Sequence, residues 1–159
     1  MKVNIGISDK NRKAVANELN IILANEMVLF TKLTNAHWNL VGPDFHSVHE
    51  FLDDLYHAQL EVVDTVAEQI RALDHFVPAT LKDYLELTTL EEKLPKKNNS
   101  QGYYKLLLKT YDAIIRHLRD RIGPFAEEYK AEGMSDYITG LMNDHEKTAW
   151  MIRAHLDRA

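Results

Sequence analysis

Apolar residues recur every three or four positions through four long stretches of the chain, the spacing of helices that bury one face. In the first, Val15, Leu19, Ile22, Met27, Phe30 and Leu33 share a face, and Ser8 or Asp9 supplies an oxygen to cap its free N–H groups. That stretch runs to about Trp38 and stops at Gly42-Pro43, since proline disfavours helical geometry in the residue before it. Asp44 is expected to cap the second, whose stripe is Val48, Phe51, Leu52, Leu55, Leu60, Val63, Ala67, Ile70 and Leu73 and whose end falls between Asp74 and Pro78. A long connection, PATLKDYLELTTLEEKLPKKNNSQG, carries one short helical piece from Leu81 to Leu87. The third long helix begins near Gln101 and buries Tyr104, Leu107, Leu108, Tyr111, Ile114, Ile115 and Leu118. Gly123-Pro124 should bend or break it, because proline lacks a backbone donor and clashes one turn back. After an acidic stretch from Glu127 to Gly133, Ser135 or Asp136 caps a fourth helix reaching about Leu156 through Ile138, Leu141, Met142, Trp150, Met151 and Ile152. Four long helices with one long crossover between the second and third predict an all-α four-helix bundle. The expectation is a single domain over 1–159, with 1–8 as a short N-terminal arm.

Composition narrows the chemistry. A chain of 159 residues is about one domain long and can bury one sizeable core. It is 45% hydrophobic and 27% charged, and its 6 glycines and 4 prolines leave little room for loops, which favours a soluble helical protein. No apolar run approaches the length of a bilayer, and the start, MKVNIGISDKNRK, lacks the basic-then-apolar pattern of a signal peptide, so the expected address is the cytoplasm. With no cysteine, disulfides and thiolate chemistry are excluded, and any metal must be held by His, Asp and Glu. A net charge of -5 argues against a nucleic-acid partner, whose affinity comes largely from Lys and Arg neutralising phosphates.

Between residues 37 and 68 the sequence places two pairs of such ligands. His49 and Asp53 stand four residues apart, as do Asp64 and Glu68, so each pair shares one helix face. His37 precedes them, just before the Gly-Pro break. Pairs of this kind occur by chance on solvated helices. Here, however, Asp53, Asp64 and Glu68 lie on a stripe with Leu60 and beside Tyr56, and a carboxylate on a face meant for packing needs a partner. Fifteen residues separate the pairs, close to a whole number of turns, so all four side chains point the same way, yet the helical rise puts them roughly 22 Å apart. Metal-ligand bonds are about 2 Å long, so one chain cannot close the site. Two copies of the helix packed antiparallel about a two-fold axis near Ala58 and Gln59 would bring the 49/53 end of one to the 64/68 end of the other, giving two identical sites per dimer. His46, His57, Glu61 and His75 fall outside this phasing and are read as exposed or as backing the ligands; His46 with His49 is a weak zinc signal. Carboxylates with one or two imidazoles suit iron, manganese or zinc better than copper(I), and several carboxylates tolerate an iron that changes charge.

The run H-W-N-x3-P-x-F-x3-H-x3-D, here His37 to Asp53, followed by D-x2-A-E, here Asp64 to Glu68, resembles the signature of the Dps proteins (DNA-binding proteins from starved cells, or mini-ferritins), and the length and helix layout of the whole chain fit that family. The resemblance implies a ferritin-like bundle in a hollow shell of twelve subunits. It implies a two-iron ferroxidase centre at the two-fold interface, with His37, His49 and Asp53 from one subunit and Asp64 and Glu68 from the other. Trp38 resembles the tryptophan the family keeps beside its iron, although such a residue can equally be core. Ferrous iron would enter through acidic three-fold channels, for which the matching positions are Glu127, Glu132 and Asp136. The implied activity is oxidation of ferrous iron, preferably by hydrogen peroxide, with storage of ferric mineral and protection of DNA. Family members that bind DNA generally do so with lysine-rich tails, and this chain departs from that pattern, with Lys2 the only basic residue among its first nine. The expectation is therefore weak or absent DNA binding. The alternatives are a nucleoid-binding structural protein with little iron chemistry, and a ferritin or oxidase with metals inside one bundle; the second is disfavoured because such sites use Glu-x-x-His pairs and this sequence has none.

Overall fold

A computed structural model of the chain describes residues 3–156; Lys2 of the N-terminal arm and the closing Asp157, Arg158 and Ala159 lie outside the described residues. The elements are α1 (Asp9–Asn39), α2 (Phe45–Ala72), the short α3 (Leu81–Leu87), α4 (Ser100–Glu127) and α5 (Glu132–Leu156), with no strand among the described residues. α1 packs along α2 and α4 along α5, while the crossover carries α3 over α1 and returns α4 to the side of α1. The result is the expected all-α bundle. Its core interleaves Leu19, Leu23, Leu29 and Leu33 of α1, Leu52, Val66 and Ile70 of α2, Leu107, Ile114 and Leu118 of α4, and Ile138, Ala149 and Ile152 of α5. Each fully buried large aliphatic side chain contributes about 1.5–3 kcal/mol.

Helix ends follow local chemistry, in places not as the sequence suggests. Ser8 caps α1, its hydroxyl accepting from the Asn11 N–H at 3.2 Å. Asp44 precedes α2 but its side chain makes no capping bond. The Phe45 N–H donates instead to the Gly42 carbonyl at 3.2 Å. α2 ends at Ala72, a little early, because Asp74 takes a left-handed conformation (φ 68°) that Asp tolerates and a helix does not. Pro124 does not break α4, which continues to Glu127. The residue before it is Gly123, and without a Cβ there is little for the proline ring to strike. Phe125, wholly buried, then anchors the last turn in the core. α5 starts at Glu132, so Ser135 is not its cap; the Ser135 hydroxyl lies inside the helix and donates to the Ile122 carbonyl of α4 at 2.8 Å. Trp150, expected in the stripe of this helix, is exposed.

Polar residues of α1 fix the crossover. Asn25 is buried; its carbonyl oxygen accepts from the Thr88 hydroxyl at 2.8 Å and the Thr89 N–H at 2.9 Å. Lys32 is buried too, its ammonium donating to the Glu91 carbonyl at 2.6 Å and the Thr110 hydroxyl at 3.2 Å. Burial, with Lys109 nearby, holds the Lys32 pKa below its ordinary value. Deeper still, Glu26 of α1 is 0% exposed. Its carboxylate accepts from the Gln59 amide of α2 at 2.7 Å and lies 3.0 Å from His145 Nε2 of α5. The Tyr111 ring of α4 meets His145 edge-on. Burial first, then the Glu26 charge, pushes the phenols of Tyr111 and Tyr137 well up.

His117 of α4 gives the fold a predictable acid limb. Its Nε2 is buried without a hydrogen-bond partner. Burial, and secondarily Arg121, depress its pKa below the ordinary 6.5. A depressed base takes up its proton more readily in the unfolded chain, so its contribution is whole above pH 6.5 and declines as pH falls through 6.5 toward the folded value. Urea midpoints measured between about pH 5 and 7.5, at one protomer concentration, should fall more steeply with acidity in the parent than in His117→Leu. Equal slopes would show that His117 charges freely in the folded protein.

Candidate metal centre

The turn between α1 and α2 brings the first ligands together. Gly42 has φ +148°, where a side chain is strained, and a Cβ there would come 3.0 Å from the Asp44 carboxylate. The reversal sets His37, in the last turn of α1, against His49, in the second turn of α2. Their rings stack at 3.8 Å with 19° between planes. Each Nδ1 reaches the other residue's backbone carbonyl, His37 Nδ1 to the His49 carbonyl at 3.2 Å and His49 Nδ1 to the His37 carbonyl at 3.0 Å. A carbonyl oxygen only accepts, so both Nδ1 atoms carry a proton, and Nε2 is the ring nitrogen left to act as a ligand when the imidazole is neutral. His37 Nε2 stands 3.6 Å from Asp53 Oδ1. With the ring neutral, a cation between this nitrogen and the carboxylate oxygen would complete the arrangement. Two ligands each about 2 Å from one ion are separated by about this distance.

An aromatic row holds these groups in place. Phe45 stacks on His49 at 4.9 Å, and beyond His37 come Tyr56 at 5.0 Å and then His57, 4.1 Å from Tyr56. Desolvation and then the negative charge of the adjoining Asp53 carboxylate raise the Tyr56 pKa. His57 reaches Asp53 from the other side, with Nδ1 3.4 Å from Oδ2. It is exposed, as the sequence suggests, yet it touches a ligand.

The structure thus gathers His37, His49 and Asp53 and does not bring Asp64 and Glu68 to them. Both lie exposed further along α2, and among the described residues no three His, Asp or Glu side chains come together into a metal cage. Trp38 is 74% exposed, which rules out its being core. Phe45 and Leu60 are exposed as well. Glu127 closes α4, and Glu132 and Asp136 lie in the first turns of α5, all three exposed across the short connection between those helices. His57, read from the sequence as exposed or as backing the ligands, is exposed and comes to Asp53, and the Glu26-Gln59-His145 cluster is an addition the sequence reading lacks. For the cluster a signal existed: Glu26 follows Ile22 by four residues and precedes Leu33 by seven, which puts an acid on a core register.

Residues 16–159 match the Ferritin family, described as a ferritin-like domain. An uncharacterized low temperature-induced protein of Nostoc is 34% identical over 156 residues, covering 98% of this chain and 87% of that protein. DNA protection during starvation protein 2 of Bacillus anthracis is 34% identical over 146 residues, 92% of this chain and 99% of that one. Among solved structures, Mycobacterium smegmatis Dps superposes with a TM-score of 0.92 at 28% identity, covering 99% of this chain and 96% of that chain. A Vibrio cholerae Dps, described as one of a broad superfamily of ferritin-like diiron-carboxylate proteins, gives 0.90 at 25% identity over 99% and 98%.

Proposed function

The chain belongs to the Dps family of ferritin-like proteins, and on that premise we propose that it is an iron-storage and detoxification ferroxidase of the cytoplasm, working as a hollow dodecamer. The observation that supports this best is the half-built site: His37 stacks on His49 and lies 3.6 Å from the Asp53 carboxylate, while the matching carboxylates Asp64 and Glu68 stand some turns away on the same helix. An antiparallel partner helix supplies them. His37, His49 and Asp53 of one subunit, with Asp64 and Glu68 of the other, then bind two ferrous ions as substrate. Each ion gives one electron to a shared hydrogen peroxide, whose O–O bond breaks, and the ferric products hydrolyse with release of protons and pass to the cavity as mineral. The carboxylates stabilise the higher charge, and Nδ1-anchored imidazoles hold their donor atoms fixed without a proton to displace. Trp38 flanks the centre, and Glu127, Glu132 and Asp136 draw ferrous iron in by their negative field. Among the described residues no helix is long and apolar enough to cross a membrane.

DNA is protected in this reading by removal of peroxide and ferrous iron together, with direct binding weak. A second reading, a nucleoid-binding protein with little iron chemistry, draws support from Lys96, Lys97 and Lys105, which line one open pocket beside the crossover. The deciding experiment measures particle mass and iron content after a ferrous-plus-peroxide challenge. The expected result is a particle of about twelve chain masses of 18.4 kDa retaining ferric iron. A monomer of that chain mass refutes the shared site. A shell that leaves iron unoxidised but retards duplex DNA at physiological salt favours the second reading.

A further inference from the structure

We propose that the end of the crossover clamps the metal centre, with Asn98 as the positioning residue: its backbone carbonyl holds the turn that sets His37 against His49, a role that rests on the ferroxidase reading above. The Val41 N–H, between α1 and α2, donates to the Asn98 carbonyl at 2.8 Å. The other backbone bonds of this turn close locally, Leu40 N–H on the Ala36 carbonyl, Phe45 on Gly42 and Val48 on Asp44. Among the described residues the Val41 bond is therefore the one backbone hydrogen bond that ties the turn to a distant part of the chain. Beside it lies the hydroxyl of Tyr103, whose ring is buried. It stands 3.3 Å from the amide oxygens of both Asn98 and Asn35, two residues before His37.

The crossover end is the fixed member of this pair. Asn99 caps α4, its side chain accepting from the Gly102 N–H at 2.9 Å and its carbonyl from the Tyr103 N–H at 3.0 Å. Gly102 lets the incoming chain lie directly on the helix, since a Cβ there would overlap the Lys97 carbonyl oxygen. The turn has no such anchor of its own. Leu40 is buried and secures the end of α1, but residues 41–44 are all exposed, so no side-chain packing fixes the path between the helices. A ligand constellation loses its geometry over about half an ångström, and the reciprocal His37-His49 contacts depend on how α1 and α2 meet across this turn. A loop bond of no consequence to the centre would contribute to stability alone.

Calorimetric titration of the metal-free, full-length protein with Zn2+ separates the two roles. Val41→Pro removes the donor where the side chain is exposed, and Leu40 before it already has the extended geometry (ψ 136°) that a proline asks of its predecessor. Gly102→Ala breaks the same bond from the other side, by driving Lys97 and the adjoining Asn98 off α4. Each should weaken Zn2+ binding about tenfold, the usual loss when a partner that holds ligands in place is removed. Phe125→Leu, roughly 35 Å along α4 from Gly102, should lower the urea midpoint as well, yet leave affinity within about twofold of the parent's. Parental affinity in Val41→Pro or Gly102→Ala would overturn the proposal. So would a Phe125→Leu protein whose affinity falls with theirs, because binding would then follow stability alone. Should either turn variant fail to fold, Tyr103→Phe takes its place, losing only the hydroxyl beside Asn35 and Asn98; about a threefold loss is expected, and parental affinity again overturns the proposal. Asp53→Ala must weaken binding whether or not the clamp exists, and if it binds Zn2+ like the parent, the metal-centre reading itself fails.

Discussion

Chains carrying His49→Ala and chains carrying Asp64→Ala, each inactive alone, should recover ferroxidase activity when mixed and reassembled. In a mixed two-fold dimer the first chain supplies intact Asp64 and Glu68 and the second intact His37, His49 and Asp53, so one of its two sites is whole while the other carries both lesions. Random mixing makes half the dimers mixed, and activity should reach about one quarter of the parent's at equal protein. Either homogeneous assembly should retain almost none, because each of its sites lacks a ligand. The prediction follows from the length of α2. His49 and Asp64 are fifteen residues apart on an unbroken helix, roughly 22 Å along its axis, and no bend in that helix brings them together. A site closed within one chain would give no recovery, since every chain in the mixture is defective. Initial rates of ferrous oxidation by peroxide, read against the ratio of the two chains, decide the matter, and a maximum at equal ratio is the signature of sharing.

What could be read from the sequence divides along the range of the interactions involved. The helices were legible because burying a stripe requires a 3.6-residue period, and Val15, Leu19, Ile22 and Leu33 announce α1 whatever the neighbouring helices do. The Thr80 and Asp83 capping box likewise marks α3 by purely local chemistry. Signals misled where context outweighed them. Pro124 reads as a break, but the preceding Gly123 spares the clash and Phe125 locks the turn. Ser135 reads as a cap, but its hydroxyl finds the Ile122 carbonyl across the helix pair. Trp150 reads as a packing residue and lies exposed on the single chain. At the centre, residue types and spacing named His37, His49 and Asp53, which the fold brings together. The reciprocal Nδ1-to-carbonyl bonds that fix their tautomer could not be read at all, because they depend on how closely the Gly42 turn presses α1 against α2.

Glu26→Ala should be the most destabilising single substitution in the bundle interior, lowering unfolding free energy by about 3–5 kcal/mol. Removing the carboxylate strands His145 Nε2 on α5, leaves the Gln59 amide of α2 only the Glu26 backbone carbonyl at 3.2 Å, and opens a cavity beside the His145-Tyr111 pair. Glu26→Gln should cost less, since an amide of the same shape can still accept from Gln59 and can donate to a neutral His145. Replacing the whole cluster with Glu26→Leu, Gln59→Leu and His145→Leu should recover much of the loss, because the penalty lies in leaving partners unpaired rather than in the absence of a polar core. Urea midpoints compared at fixed protomer concentration give the ranking. A Glu26→Ala protein within about 1 kcal/mol of the parent would mean that water reaches the cluster and satisfies it. The metal centre offers an independent check. Of the two residues expected near the two-fold axis, Gln59 instead faces into the bundle from α2, whereas Ala58 is exposed, as is Leu60. In the proposed assembly one helix seats itself in the core with one face and would present ligands to its partner with the other. Where Glu26→Ala remains folded, Zn2+ affinity should stay near the parent's, because the damage lies on the face away from Asp53. A joint loss of stability and affinity would show that the Glu26-Gln59 bond sets the position of α2, and with it the spacing on which the shared site depends.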